Sequence, residues 1–211
     1  MKYFFLDTSN NMVTVAIYKN KIKLAYYSEK SNRDISVNIM VIIDNIFKEA
    51  KTSPWDIDKI FVVTGPGSFT GIRIGVTIAK VYAWSFKTEI VPISSLEVLA
   101  STKFRGNYIV PLIDARRNFV YAGMYDKKLN CISKNRYIML SKIIDEFKEK
   151  KTVFVTYDDI LVTGKIINPN PRILPIIINH LDDKPVNPHI INPNYLKLTE
   201  AEEKYKINNE V

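Results

Sequence analysis

Cysteine and histidine are scarce in this chain. Cys131 is the single cysteine among 211 residues, so no disulfide can form within the chain, and we expect a reducing compartment. The two histidines, His180 and His189, match neither an H-E-x-x-H motif nor a pair one helical turn apart. We therefore expect no zinc or iron site, no other cofactor, and no catalytic centre built on cysteine or histidine.

Long hydrophobic runs are also missing. Charged residues interrupt every apolar stretch well before the ~18 residues that a membrane-spanning helix needs. The first apolar run extends only from Tyr3 to Leu6 and is followed at once by Asp7, which is unlike a signal peptide. We expect a cytoplasmic protein without a membrane segment.

The positive charge is large but scattered. Lysine and arginine number 30 against 22 acidic residues, a formal net charge of +8, which favours polyanionic partners. The one tight lysine run is Lys148, Lys150 and Lys151, and no arginine-rich helix or basic motif interleaved with aromatics occurs. We expect contact with nucleic acid within a complex, and disfavour a stand-alone RNA-binding module.

Apolar periodicity divides the chain into two α/β parts, with the polar stretch 101–107 between them. The first part is predicted to contain strands 2–7, 12–18, 21–28, 59–64 and 89–92, helices 35–50 (with Asp34 as N-cap) and 70–86, and a short helix ending at Leu99. The second is predicted to contain strands 108–113, 119–125 and 152–155, a helix 141–150, and an extended proline-rich tail 168–198. Antiparallel strands that lead into helical crossovers predict a mixed sheet covered by helices. We predict an N-terminal lobe at residues 1–104 and a C-terminal lobe at residues 105–211.

A glycine-rich segment, GPGSFTGIRIG at 65–75, joins a buried strand to the following helix. Such turns often bind phosphate, but the third glycine comes one residue too late for G-x-G-x-x-G, and no Walker lysine follows. Gly71, Gly75, Ala79 and Ala83 recur every four residues and form a ridge that lets another backbone approach closely. We interpret the segment as a packing element, with phosphate binding as the alternative.

Both long helices carry an apolar stripe beyond the one that a core requires. An apolar stripe left over on a helix is typical of a protein interface, and cover by this chain's own second lobe is the alternative. We predict a partner-binding patch that consists of Val37, Met40, Val41, Phe47, Gly71, Ile74, Ile78 and Val81. Without a partner, the same patch is expected to pair with its copy in a homodimer.

Aspartates end a strand in each part: Asp7, followed by Thr8 and Ser9, and Asp114. Two such aspartates facing one cleft can hold a metal-bound nucleotide. The glycines that would form phosphate-binding turns are missing after both, however, and asparagines stand in the turns instead. We interpret Asp7, Thr8, Ser9 and Asp114 as a vestigial nucleotide cleft whose aspartates cap turns, with a working metal–nucleotide site as the alternative.

Five motifs together resemble the TsaB (YeaZ) family: DTS at 7–9, GPGSFTGIRIGVTIAK at 65–80, SSLE at 94–97, DARR at 114–117 and YLKLTEAE at 195–202. The resemblance spans nearly the whole chain. It implies an actin-like, sugar-kinase-type (ASKHA) fold of two related lobes, each a mixed sheet covered by helices. One departure concerns the first helix, where Ile35 and Val41 replace a histidine and a proline common in the family.

The same resemblance implies a non-catalytic scaffold in tRNA modification. Such a subunit binds and activates the paralogue TsaD, which forms N6-threonylcarbamoyladenosine next to the anticodon of tRNAs that read ANN codons. The TsaE ATPase joins the complex, and tRNA is contacted through it. The alternative is a self-sufficient glycoprotease-like peptidase or a small ASKHA kinase, for which the sequence offers neither a nucleophile–base pair nor metal ligands.

Overall fold

The first half of the chain builds a five-stranded mixed sheet. In a computed structural model, which describes residues 1–30, 35–147 and 151–197, its strands run in the order β3-β2-β1-β4-β5. They are β1 (Lys2–Asp7), β2 (Met12–Lys19), β3 (Ile22–Lys30), β4 (Lys59–Gly65) and β5 (Glu89–Ser94). The first three strands are antiparallel, and β4 and β5 add to β1 in parallel. Helices α1 (Ile35–Glu49), α2 (Phe69–Phe86) and α3 (Ser95–Ala100) cover this sheet, and a 3₁₀ turn spans Pro54–Asp56.

The second half repeats the same topology. Its strands are β6 (Tyr108–Asp114), β7 (Phe119–Tyr125), β8 (Cys131–Met139), β9 (Thr152–Val155) and β10 (Ile166–Ile167), in the order β10-β9-β6-β7-β8. Again the first three are antiparallel, and the last two add in parallel. Helices α4 (Leu140–Phe147) and α5 (Ile173–Asn179) complete it. The predicted fold, two related lobes that each contain a mixed sheet covered by helices, is confirmed.

Three apolar cores stack through the molecule. Because side chains alternate along a strand, Phe4 and Leu6 of β1 face one core while Tyr3 and Phe5 face the next. The outer core lies between the first sheet and helices α1 and α2. The central core joins both sheets through α3 and α5, and the third lies between the second sheet and α4. None of the described helices is long and apolar enough to cross a membrane.

The C-terminal segment departs from the expected extended tail. Residues 173–179 form α5, and Pro175 fits because the N–H groups of a first helical turn have no intrahelical partner. The chain then returns to the first sheet, where Val186 N donates to Ile90 O (2.9 Å) and Asn194 N donates to Thr64 O (2.7 Å). The lobe boundary at residue 104 therefore stays a prediction. The N-cap Asp34 and residues 148–150 lie outside the described residues.

A histidine fastens α5 to α3. The His180 Nε2 atom lies 2.8 Å from Oε1 of Glu97, and its Nδ1 atom lies 2.6 Å from Oδ2 of Asp183. Burial alone would lower the pKa of His180. The hydrogen bonds to Glu97 and Asp183 raise this pKa by more than burial lowers it, so that it lies at about 9. The imidazolium is thus favoured at neutral pH, and His180 links the end of α5 to Glu97 of α3.

Candidate functional site

The glycine-rich turn is locked onto the end of β1. Ser68 N donates to Ser9 O (2.7 Å), and the Thr8 hydroxyl donates to Gly71 O (2.6 Å). A Cβ atom at Gly67 or Gly71 would overlap the carbonyl oxygen of Ser9 or Thr8, respectively. The ridge of small residues therefore admits a close backbone approach, as predicted, and the backbone that approaches belongs to this chain.

Three backbone N–H groups at the start of α2 already have acceptors within this chain. Ser68 N is bound to Ser9, Gly71 N donates to the Ser68 hydroxyl (3.2 Å), and Ile72 N donates to Ser68 O (2.9 Å). The start of α2 is consequently capped from within the chain. The geometry favours the packing interpretation of the segment over the phosphate-binding one.

Asp7 is buried beneath this turn and does not line the neighbouring cleft. Its side chain is only 2% exposed, and Oδ1 accepts hydrogen bonds from Ser9 N (2.8 Å) and the Ser9 hydroxyl (2.7 Å). Burial raises the pKa of Asp7 to about 6, although the two bonds from Ser9 lower it. Thr8 and Ser9 are buried as well, so three of the four residues assigned to the nucleotide cleft are buried, and of these only Ser9 borders the cleft.

The cleft itself has a volume of about 560 Å³ and lies between the ends of β1 and β6. Ser9 and Asp114 line it, together with Asp158. Asp114 Oδ1 accepts a hydrogen bond from Arg116 N (2.9 Å), and Asp114 N donates to Oδ2 of Asp158 (2.8 Å). Burial raises the pKa of Asp158, although the hydrogen bond from Asp114 N lowers it and the negative charge of Asp114 adds only a smaller rise.

The two strand-ending aspartates have the same local role. Asp7 and Asp114 each accept a hydrogen bond from the N–H two residues later, the geometry of an Asx turn. The structure therefore supports the turn-capping interpretation at both positions. Within residues 1–30, 35–147 and 151–197, no group of three or more His, Cys, Asp or Glu side chains is arranged to hold a metal ion.

An apolar face remains open on α1 and α2, which pack side by side on the first sheet. Four residues of the predicted patch are exposed by 57% to 71%, namely Val37, Met40, Val41 and Val81. Ile74 and Ile78 are half-buried and pack against the outer core. We call these six residues the helix patch. It includes Val41, whereas Ile35 is half-buried and packs against the outer core.

Two residues assigned to the patch are not accessible. Phe47 is 6% exposed, and its ring packs 5.4 Å from that of Phe4 and 6.1 Å from that of Tyr82. It lies four residues after Ile43 on the core-facing stripe, so its assignment to the outer face was wrong. Gly71 lies under Thr8 and was also wrongly assigned.

One exposed residue beside the patch was missed. Trp84 is 65% exposed and follows Val81 by three residues, so both lie on one side of α2. The spacing of three residues between Val81 and Trp84 could have indicated that Trp84 belongs to the exposed apolar face. The prediction for this part of α2 rests on the small residues Ala79 and Ala83 instead.

Comparison with known proteins places this architecture in a family. The family model described as TsaD, tRNA N6-adenosine threonylcarbamoyltransferase, matches residues 27–158. The tRNA threonylcarbamoyladenosine biosynthesis protein TsaB of Bacillus subtilis is 33% identical over 224 residues, covering 97% of this chain and 98% of that protein. The chain belongs to the TsaB (YeaZ) family. A tRNA N6-adenosine threonylcarbamoyltransferase of Persephonella marina is 26% identical, but over only 46% of this chain and 33% of that protein.

A solved structure extends the TsaB likeness to the fold. YeaZ from Pseudomonas aeruginosa aligns with a TM-score of 0.80 at 19% identity, covering 92% of this chain and 99% of that chain. Several of the motifs on which the resemblance to TsaB rests make contacts between separate segments of the chain. Segments 7–9 and 65–80 pack on each other, and Glu97 binds His180. Tyr195 stacks on Phe69 at 5.6 Å and accepts a hydrogen bond from Arg73 Nε (2.9 Å), while residues 198–202 of the last motif lie outside the described part.

Proposed function

We propose that this TsaB-family chain is a non-catalytic scaffold that binds and activates a TsaD-type enzyme. That enzyme forms N6-threonylcarbamoyladenosine next to the anticodon of tRNAs that read ANN codons. The observation that carries the proposal is the helix patch, because exposed apolar side chains on two neighbouring helices favour burial against another protein.

The surroundings of the patch suit a protein interface. Asp44 and Lys48, one helical turn apart on α1, form an exposed ion pair of 2.6 Å beside the apolar residues. An apolar centre bordered by charged residues is the usual arrangement of a protein–protein contact. The family membership supports a TsaD-type partner.

The cleft gives little support to independent catalysis. A peptidase or kinase acting alone would need a nucleophile with its base, or carboxylates free to bind a metal. Asp7 and Asp114 are instead engaged as turn caps, and Asp7 is inaccessible. We therefore place catalysis in the partner, with the TsaE ATPase joining the complex and tRNA reached through it. Alone, the chain is expected to form a two-fold dimer through the same patch.

Co-purification with the TsaD homologue of the same organism tests the partner surface. Met40→Asp should lower the affinity for that homologue by on the order of 100-fold or more, because an unpaired carboxylate buried in the interface costs several kcal/mol. The same substitution should convert the homodimer to a monomer, as measured by light scattering.

The matched control is Leu161→Asp, which places the same charge on a residue that is 87% exposed and lies outside the helix patch. This variant should bind the TsaD homologue like the wild type, and both variants should keep the wild-type circular dichroism spectrum. Undiminished binding by a folded Met40→Asp protein would place the interface elsewhere.

A further inference from the structure

A second cavity, of about 590 Å³, lies beside the end of α3, and none of the residues that line it belongs to the helix patch. Ten residues line it, and five of them are cationic: Lys103, Arg105, Lys127, Lys165 and Arg172. No aspartate or glutamate is among the ten. We call this cavity the basic pocket. The lysines and arginines are scattered along the sequence, but the fold brings five of them, from four separate segments, to this one cavity.

The wall of the basic pocket is fixed by hydrogen bonds. Arg172 N donates to the hydroxyl of Ser101 (2.8 Å), and Arg172 Nε donates to Ser101 O (3.1 Å). Asn170 N donates to the hydroxyl of Thr102 (3.0 Å). Ser101 and Thr102 are both buried, so the segment before α5 is anchored to the end of α3. The Arg172 guanidinium is therefore preorganised at the pocket rather than freely mobile.

Four cations of the basic pocket have no carboxylate partner among the residues that the structure describes. Elsewhere, lysines are paired, as in Lys2 with Asp56 and Lys59 with Glu89. Within the described residues, by contrast, no ion pair joins Lys103, Arg105, Lys127 or Lys165 to a carboxylate. Several like charges around one concave surface repel each other and raise the local potential, and a bound anion relieves this repulsion.

The rest of the lining suits a ligand with an apolar part. Phe104, Leu129 and Ile167 provide apolar side chains between the cations. A pocket of this volume accommodates a group of nucleotide size. Arginine binds phosphate through two parallel N–H bonds, and several cations together match the multiple charges of a polyphosphate or a phosphodiester chain.

We infer that the basic pocket binds phosphate groups, carried either by RNA or by a free nucleotide. None of its residues belongs to α1 or α2, so the basic pocket and the helix patch share no residue. The inference does not depend on the proposed partner, because it concerns a different surface and can be tested with the isolated chain.

The test compares two double variants with equal loss of charge. Lys103→Ala with Arg105→Ala removes two exposed cations from the basic pocket, and Lys21→Ala with Lys142→Ala removes two exposed cations from the β2–β3 hairpin and α4. Binding of a transcribed tRNA is measured by fluorescence anisotropy at several salt concentrations. Binding of ATP and of pyrophosphate is measured by calorimetry.

For an RNA ligand, the pocket variant should lose about tenfold in tRNA affinity at 0.1 M salt. The slope of log affinity against log salt should fall by about 2, and the control variant should change less than about twofold. For a nucleotide ligand, the pocket variant should lose ATP and pyrophosphate binding while tRNA binding is unchanged. Equal losses in both double variants, or no binding of any of the three ligands by the wild type, would overturn the inference.

Discussion

At the scale of single residues, Asp7 occupies a position at the end of a strand where a catalytic carboxylate could lie, but here it has a structural role. The carboxylate is buried at the end of β1, and its turn-capping bonds from Ser9 only partly offset the cost of burying its charge. Its pKa is accordingly raised to about 6. A raised pKa alone would suggest a catalytic acid, but Asp7 is buried and does not line the cleft, which argues against that role.

The raised pKa of Asp7 predicts a particular dependence of stability on pH. The carboxyl binds its proton more tightly in the folded protein than in the unfolded chain, so the free energy of unfolding should fall as pH rises from about 4 to about 6. A shift of about 2 pKa units corresponds to at most about 3 kcal/mol.

Asp7→Asn should remove this dependence, because an amide oxygen can still accept the Ser9 bonds and does not ionise. Urea unfolding between pH 4 and pH 8 measures the difference, and the variant should be the more stable protein at pH 8. Parallel pH profiles for the two proteins would show that Asp7 is not the group responsible.

At the scale of elements, the end of β1 and the start of α2 lie so close together that Gly71 has no room for a Cβ atom. Gly71→Ala should destabilise the protein by about 1–3 kcal/mol, because the new methyl group overlaps Thr8 O and forces the turn apart. Thr77→Ala, at an exposed position of the same helix, is the control and should change stability by less than about 0.5 kcal/mol. A Gly71→Ala protein at least as stable as the wild type in urea would contradict the packing interpretation.

Most elements could be predicted from local patterns, and those missed have physical reasons. The strands of the first sheet follow their apolar runs, and α1 and α2 follow their helical periodicity. Strand β8 is an edge strand with largely half-buried or exposed residues, so its sequence shows no strong alternation. Helix α5 was missed because Pro175 normally signals extended chain, although its place in the first turn is compatible with a helix.

The site was only partly predictable for a related reason. Helix α1 has two apolar stripes of similar composition, and the sequence does not say which side chains the sheet will cover. Packing decided that Phe47 joins Phe4 and Tyr82 in the core while Met40 stays exposed. The basic pocket lay beyond local patterns altogether, because its cations are distant in sequence and meet only in the fold.

At the scale of the whole molecule, two repeats of one topology are joined by a shared core. Helices α3 and α5 lie between the sheets, His180 ties them together, and the C-terminal segment crosses back to β4 and β5. Such a large apolar contact favours a fixed arrangement of the sheets. A fixed body with an open apolar face is suited to holding a partner in place, which is the role that we propose for this chain.

The most direct measurement of that role is the formation of N6-threonylcarbamoyladenosine on a tRNA by the TsaD homologue, supplied with TsaE and the substrates. Four reactions are compared: without this chain, and with the wild type, Met40→Asp or Leu161→Asp. We expect product with the wild type and Leu161→Asp, and at least about tenfold less with Met40→Asp or with no added chain, since the partner is then not engaged. Equal product in all four reactions, or product in a fifth reaction that contains this chain but omits the TsaD homologue, would contradict a non-catalytic activating subunit.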